Sequence, residues 1–123
     1  MTRVDTHIIA WIYHGQTKNF SAQVTQLLEE TTIAISPIVE LELTYLHEIG
    51  RLNDNGSTII NNLIERGFEK SENDLNLIIS TANTLPWTRD PFDRMITADA
   101  IASLDTLITK DKTILENYEK AIW

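Results

Sequence analysis

The segment RDPFDRMITADAIASLDTLITKD, residues 89–111, decides the fold of this chain. It reads as a turn, a helix, a short apolar strand, and an acid where that strand ends. Pro91 suits the first position of a helix, because its ring presets φ and its missing N–H would lack an intrahelical partner there anyway. Asp90 is then the N-cap and Asp93 the third helical residue. On a helical wheel from Phe92 to Leu104 apolar residues fall on nearly every side, which predicts a helix covered all round. Two acids, Asp93 and Asp99, nevertheless sit inside it. Residues 106–109 read as a buried strand with Asp111 just beyond its carboxyl end, and in open α/β sheets ligands bind outside the carboxyl ends of the strands.

Working outward, the remainder supplies the partners such a strand needs. Residues 2–5 make a stub of strand, and Ile8, Ile9, Trp11 and Ile12 continue it as a helix, which leaves Asp5 at the junction. Asp is also a favoured N-cap, so this position has a structural reading as well. Phe20, Val24, Leu27 and Leu28 have helical spacing. Residues 31–35 are a β-branched strand, after which Ser36 and Pro37 open another helix as N-cap and first residue. On that helix Glu42 falls within the apolar arc of Ile38, Leu41, Tyr45, Leu46 and Ile49, whereas Glu40, His47 and Glu48 fall on the polar side. An inward carboxylate is costly unless paired with a base or bound to a metal. Gly50 closes the helix.

Further on, Ser57 reads as the cap of a helix carrying Ile59, Ile60, Leu63 and Ile64, and residues 67–70 as a weak edge strand. Ser71 or Asn73 starts the next helix, and residues 121–123 form a last edge strand. With no repeat or linker, the chain reads as one domain over residues 1–123. Its alternation of strands and helix pairs predicts an α/β, three-layer α/β/α domain around a central parallel sheet of four to five strands.

Lys and Arg total 10 against 18 Asp and Glu, a net charge of −8. That composition disfavours broad nucleic-acid binding, which depends on a basic surface neutralising phosphates. Without cysteine there is no disulfide, thiol nucleophile or zinc–thiolate site. No apolar run reaches membrane-spanning length and no signal peptide is evident, so a cytoplasmic protein without membrane contact is expected. His7, His14 and His47 lack metal-ligand spacing. Among the tryptophans, Trp11 and Trp123 read as core or interface residues, while Trp87 lies beside the site-bearing loop.

In a parallel sheet, residues that follow strands share one edge with the helix starts. Asp5, Glu42, Asp93 and Asp111 would then converge, and a converging acid cluster repels itself without cations. Hard oxygen donors suit Mg²⁺ or Mn²⁺, which bind phosphate oxygens and activate water. The combination points to metal-assisted phosphodiester hydrolysis.

Four segments carry a resemblance: Val4-Asp5-Thr6-His7, residues 36–52 with Glu42, Asp90-Pro91-Phe92-Asp93-Arg94, and residues 107–111 ending in Asp111. They resemble the PIN domain, and within it the VapC-type toxins of bacterial toxin–antitoxin pairs. The resemblance implies a Mg²⁺- or Mn²⁺-dependent endoribonuclease acting on RNA, with Asp5, Glu42, Asp93 and Asp111 as its metal-binding and catalytic acids. It further implies a homodimer and an antitoxin whose tail enters the acidic groove. Thr6 and Thr109 are accessory hydroxyls. The chain departs from the pattern in its short first strand and in Asp99, where many relatives are neutral; Asp99 reads as a fifth acid or, preferably, as a buried acid paired with Arg94 or another base. Arg89, Arg94 and Lys110 lie near the site in sequence. Two other readings remain: a PIN-like module without catalysis, against which all four acids speak, and a phospho-receiver, whose central Asp54 falls in a turn after a helix.

Overall fold

A computed structural model describes residues 1–123. Five strands form one all-parallel sheet: β1 (Thr2–Val4), β2 (Ile33–Ile35), β3 (Glu69–Lys70), β4 (Thr106–Ile108) and β5 (Ala121–Ile122), in the order β3-β2-β1-β4-β5. The helices are α1 (Thr6–Tyr13), α2 (Ala22–Glu30), α3 (Pro37–Glu48), α4 (Gly56–Glu65), α5 (Leu75–Ala82), α6 (Pro91–Ala102) and α7 (Lys112–Asn117). They flank the sheet, as the expected α/β architecture requires. No helix is long and apolar enough to cross a membrane.

The central strand β1 is flanked on both sides, Thr2 standing opposite Ile33 of β2 and Thr106 of β4, and Val4 opposite Ile108. All three of its residues are buried, Arg3 included. Val4, Ile35, Leu107 and Ile108 from the sheet meet Ile8 and Ile9 of α1, Leu43 of α3, and Ile59 and Leu63 of α4 in one core. Burying each such side chain contributes roughly 1.5–3 kcal/mol. A smaller cluster of Ile78, Ala82, Leu85 and Ala98 seals α5 against α6. Gly56 is fixed by packing: a Cβ there would stand 2.3 Å from the Glu40 carbonyl oxygen and 2.4 Å from Thr44 Oγ1, so only glycine lets α4 start this close to α3.

Ser36 and Asp90 cap α3 and α6, each followed by proline, and Gly50 at φ 82° ends α3. Two expected caps differ. The cap of α4 is Asn55, whose Oδ1 accepts from the Thr58 amide at 2.9 Å and from the Ser57 hydroxyl at 2.9 Å. The cap position of α5 is Asp74, because Ser71 and Asn73 are both occupied by Asp99.

The wheel for α3 is also displaced. Its buried residues are Val39, Leu43 and Leu46, whereas Leu41, Tyr45 and Ile49 are exposed. Glu42 therefore stands at the margin of the core face, half-buried, and not in the middle of an inward arc. Of the apolar stripe that suggested otherwise, Leu46 is buried and Ile38 packs against the core, while Leu41, Tyr45 and Ile49 form a surface.

Candidate active site

The carboxyl edge of the sheet gathers the acids. Asp5 leaves β1 and caps α1, its Oδ1 accepting from the Ile8 amide at 3.1 Å. Its Oδ2 accepts from the Thr109 hydroxyl, which follows β4. The same hydroxyl accepts from the Asp111 amide at 3.0 Å, and Asp111 Oδ1 accepts from the Ile114 amide at 2.9 Å as the cap of α7. Glu42 is held from α1 by the Thr6 hydroxyl. Thr6 and Thr109 thus each fix one of the acids, and both are buried.

Burial raises the pKa of Asp5 and of Glu42, offset in part by these hydroxyl donors and by His7, while nearby acids push in the same direction as burial. Asp93 is shifted in the same direction. Burial first, then the charges of Asp90, Glu42, Asp111 and Asp5, lift its pKa to about 7. The charges of the other three acids thus each bear on Asp93. Asp90 belongs to the cluster too. The sequence assigns it only the cap, in which its Oδ1 accepts from the Asp93 amide at 3.0 Å; its place at the same helix start was the signal. None of the four carboxylates takes part in a salt bridge, since every ion pair in the chain involves Arg3 or the terminal amine.

Asp99 lies elsewhere. It is fully buried against Arg3, Nη1 to Oδ1 at 3.0 Å, and accepts from Ser71 Oγ at 3.0 Å and Asn73 Nδ2 at 2.8 Å. Its base is Arg3 and not Arg94, whose Nε donates to the Ala82 carbonyl at 2.7 Å and makes no ion pair. Arg89 is exposed in the loop before α6. Lys110 Nζ stands over the rings of Trp11 and Trp123, 5.4 and 4.9 Å from their centroids. Trp87 packs against the small α5–α6 cluster, and Asp54 accepts from the Tyr13 hydroxyl at 2.7 Å.

As the side chains stand, no three carboxylates or imidazoles close on a common point as a cage for an ion. The donors present are hard oxygens on one rim. Such a set fits a cation that keeps most of its waters and takes only one or two carboxylates directly.

The model of the PIN domain family matches residues 3–120. The chain belongs to the PIN domain family. No curated protein sequence matches it. In fold, this PIN domain is similar to a chain of VapBC2 from Rickettsia felis bound to a promoter DNA fragment, at TM-score 0.68 and 19% identity over 98% of this chain and 95% of that one. A chain of a toxin–antitoxin complex from Klebsiella pneumoniae is similar at TM-score 0.67 and 18% identity, over 100% and 97%. VapBC-1 from nontypeable Haemophilus influenzae follows at 0.64 and 20%, over 97% and 90%.

Proposed function

We propose that this PIN domain is a metal-dependent endoribonuclease that hydrolyses RNA phosphodiester bonds, and that it is the VapC-type toxin of a toxin–antitoxin pair. The observation that carries this reading is the group of acids at the carboxyl edge of the sheet, none of them in a salt bridge, whose charges together with burial lift the pKa of Asp93 to about 7. Acids crowded at the ligand-binding edge of a parallel sheet repel one another when ionised, and a bound cation relieves that repulsion. Mg²⁺ or Mn²⁺, held by Asp5, Glu42, Asp93 and Asp111, would supply that charge, bind a phosphate oxygen and acidify a water.

The chain's own residues prepare the chemistry. Thr109 and Thr6 hold Asp5 and Glu42 in fixed orientations, so little reorganisation is needed when substrate arrives. Burial and the surrounding acids lift the pKa of Asp93 to about 7, and a cation bound there would favour its charged form. In the reaction the oxygen of water bonds to phosphorus, one P–O ester bond breaks, and the departing oxygen takes up a proton.

The fold likeness to chains of toxin–antitoxin complexes supports an antitoxin partner. Exposed Leu41, Tyr45 and Ile49 of α3, with Leu75, Leu77 and Ile79 of α5, are apolar surface suited to a homodimer contact. The enzyme would work in the cytoplasm, where its RNA substrates are.

The test is cleavage of total cellular RNA by the purified chain with Mg²⁺, with Mn²⁺ and with chelator. Cleavage should require the metal, and Asp93→Asn should lower it by about a hundred- to a thousandfold, the scale of losing one charge-stabilising group. Equal cleavage in chelator, or none under any condition from folded protein, contradicts the reading; the latter outcome favours a PIN-like module that only binds.

A further inference from the structure

Beside the acid cluster lie two hollows lined by basic and aromatic side chains and by no acid. A groove of about 370 Å³ between α1 and the turn after α3 is lined by His7, Trp11, His14 and Arg51 among others. A second hollow of about 460 Å³, which shares Trp11 and Gln16 with the first, carries Lys18. Lys110 stands over Trp11 from a third direction. In a chain of net charge −8 with only 10 Lys and Arg, one cation thus stands over this indole and two more line hollows that the indole also lines. None of the three has a carboxylate partner, for the ion pairs of the chain are confined to Arg3 and the terminal amine. Solvated lysines scattered by chance would not share an aromatic centre.

The indole is held firmly. Trp11 is half-buried and packs against Phe20 and Trp123, with ring centroids 6.3 and 6.1 Å away. The groove also connects to the acids. His7 lines it two residues after Asp5 and beside Thr6, which holds Glu42, and Lys110 is the residue between Thr109 and Asp111. From the acid rim, His7 and Trp11 lead along the groove to Arg51, and Trp11 leads into the second hollow with Lys18.

Proteins that bind single-stranded nucleic acid combine such parts: cations that follow the backbone and an aromatic side chain on which a base stacks. The geometry points to this groove as the binding site for the single-stranded RNA flanking the cleaved bond, with Trp11 stacking one base and Arg51 and Lys18 meeting phosphates. The inference rests on the ribonuclease reading and adds where its substrate lies. It also resolves a tension in the composition: an acidic protein needs only a local strip of positive charge to hold a short strand, and this is where that strip is.

The test is the affinity of a fluorescent single-stranded oligoribonucleotide of about twelve nucleotides, within the span one small module covers, followed by anisotropy in Mg²⁺. The protein is the full chain carrying Asp93→Asn to suppress turnover. Adding Trp11→Ala should weaken binding about 5- to 100-fold, the range for losing one stacked base. Arg51→Gln should weaken it severalfold and flatten the salt dependence by about 0.7 in log–log slope, one single-strand phosphate contact. Lys70→Gln, in a hollow that shares no residue with either of these, should change nothing. Trp11→Phe retains a ring and should keep most of the affinity, and a circular dichroism spectrum for each variant excludes unfolding as the cause.

Unchanged affinity in both Trp11→Ala and Arg51→Gln, while the unsubstituted chain still cleaves RNA, overturns the groove and leaves the nuclease standing. No binding by the Asp93→Asn chain together with no cleavage by the unsubstituted one overturns both. Variants that keep RNA affinity but lose binding to a protein antitoxin would make the groove a protein interface and overturn it as an RNA site.

Discussion

Asp99 and Asp93 lie on the same helix, six residues apart in sequence, and the fold treats them in opposite ways. Asp99 is buried completely and is given a guanidinium, a hydroxyl and an amide. Arg3 extends the arrangement to Asp105, Nε to Oδ2 at 2.8 Å, and to the Ser103 hydroxyl at 3.0 Å. Asp93 is only half-buried, faces Glu42, Asp111, Asp5 and Asp90, and has no cation. An acid kept for architecture is neutralised by the chain itself. On the proposed reading the acids at the carboxyl edge of the sheet are left for a cation from outside the chain to neutralise, and that difference would separate a structural carboxylate from a functional one.

The largest effect should come from breaking the neutralised side. Arg3→Met leaves Asp99 buried without its base, and stability in denaturant titrations should fall by about 3–5 kcal/mol, the usual cost of removing one partner of a buried pair. Adding Asp99→Leu should recover part of the loss. If Arg3→Met alone is tolerated, the contrast drawn here between the two acids has no energetic basis.

An intermediate effect belongs to Thr109, whose hydroxyl joins Asp5 to the Asp111 amide. Thr109→Val keeps the shape and removes both bonds, so unfolding free energy should drop by about 1.5–3 kcal/mol, as for hydrogen bonds to a charged group. Metal affinity should drop with it. A loss of stability with metal affinity intact would make Thr109 a packing residue alone.

The smallest effect has the opposite sign. Asp93 has a higher pKa folded than its ordinary 3.8, so the folded state holds the proton more tightly. Its contribution is fully present below pH 3.8 and is lost as pH rises toward about 7. Compared with Asp93→Asn, the metal-free protein should therefore lose stability between those values, and at pH 8 the variant should be more stable by about 1–2 kcal/mol. That figure is well below the full shift because solvent screens a half-exposed group. Thermal melts of both proteins in chelator across this range measure the difference.

Much of the fold was readable because local chemistry and global topology agree. Ser36-Pro37 and Asp90-Pro91 mark helix starts wherever they occur, and the β-branched run ending at Ile35 has few other uses. Asp5, Asp93 and Asp111 were legible because their positions follow from element boundaries alone. Glu42 was reached on a wheel whose centre was misplaced: Leu41, Tyr45 and Ile49 are apolar but exposed, and hydrophobicity does not distinguish a core face from a docking face. The partner of Asp99 was out of reach, since Arg3 meets it only through tertiary folding. The same holds for Ser71 and Asn73, whose side chains look like helix caps until a buried acid claims them. The cations around Trp11 are dispersed over residues 18 to 110, and nothing local marks them as neighbours.

The central claim is that the carboxyl edge of the sheet lacks a cation that it is built to receive. Titrating Mn²⁺ into the metal-free chain at pH 8, followed by calorimetry or by the loss of the free-ion paramagnetic resonance signal, tests it most directly. Saturable binding that is weakened strongly by Asp93→Asn, and unaffected by Glu40→Gln on the same helix as Glu42, is the predicted result. Absence of saturable binding, or binding that Asp93→Asn leaves unchanged, would contradict it.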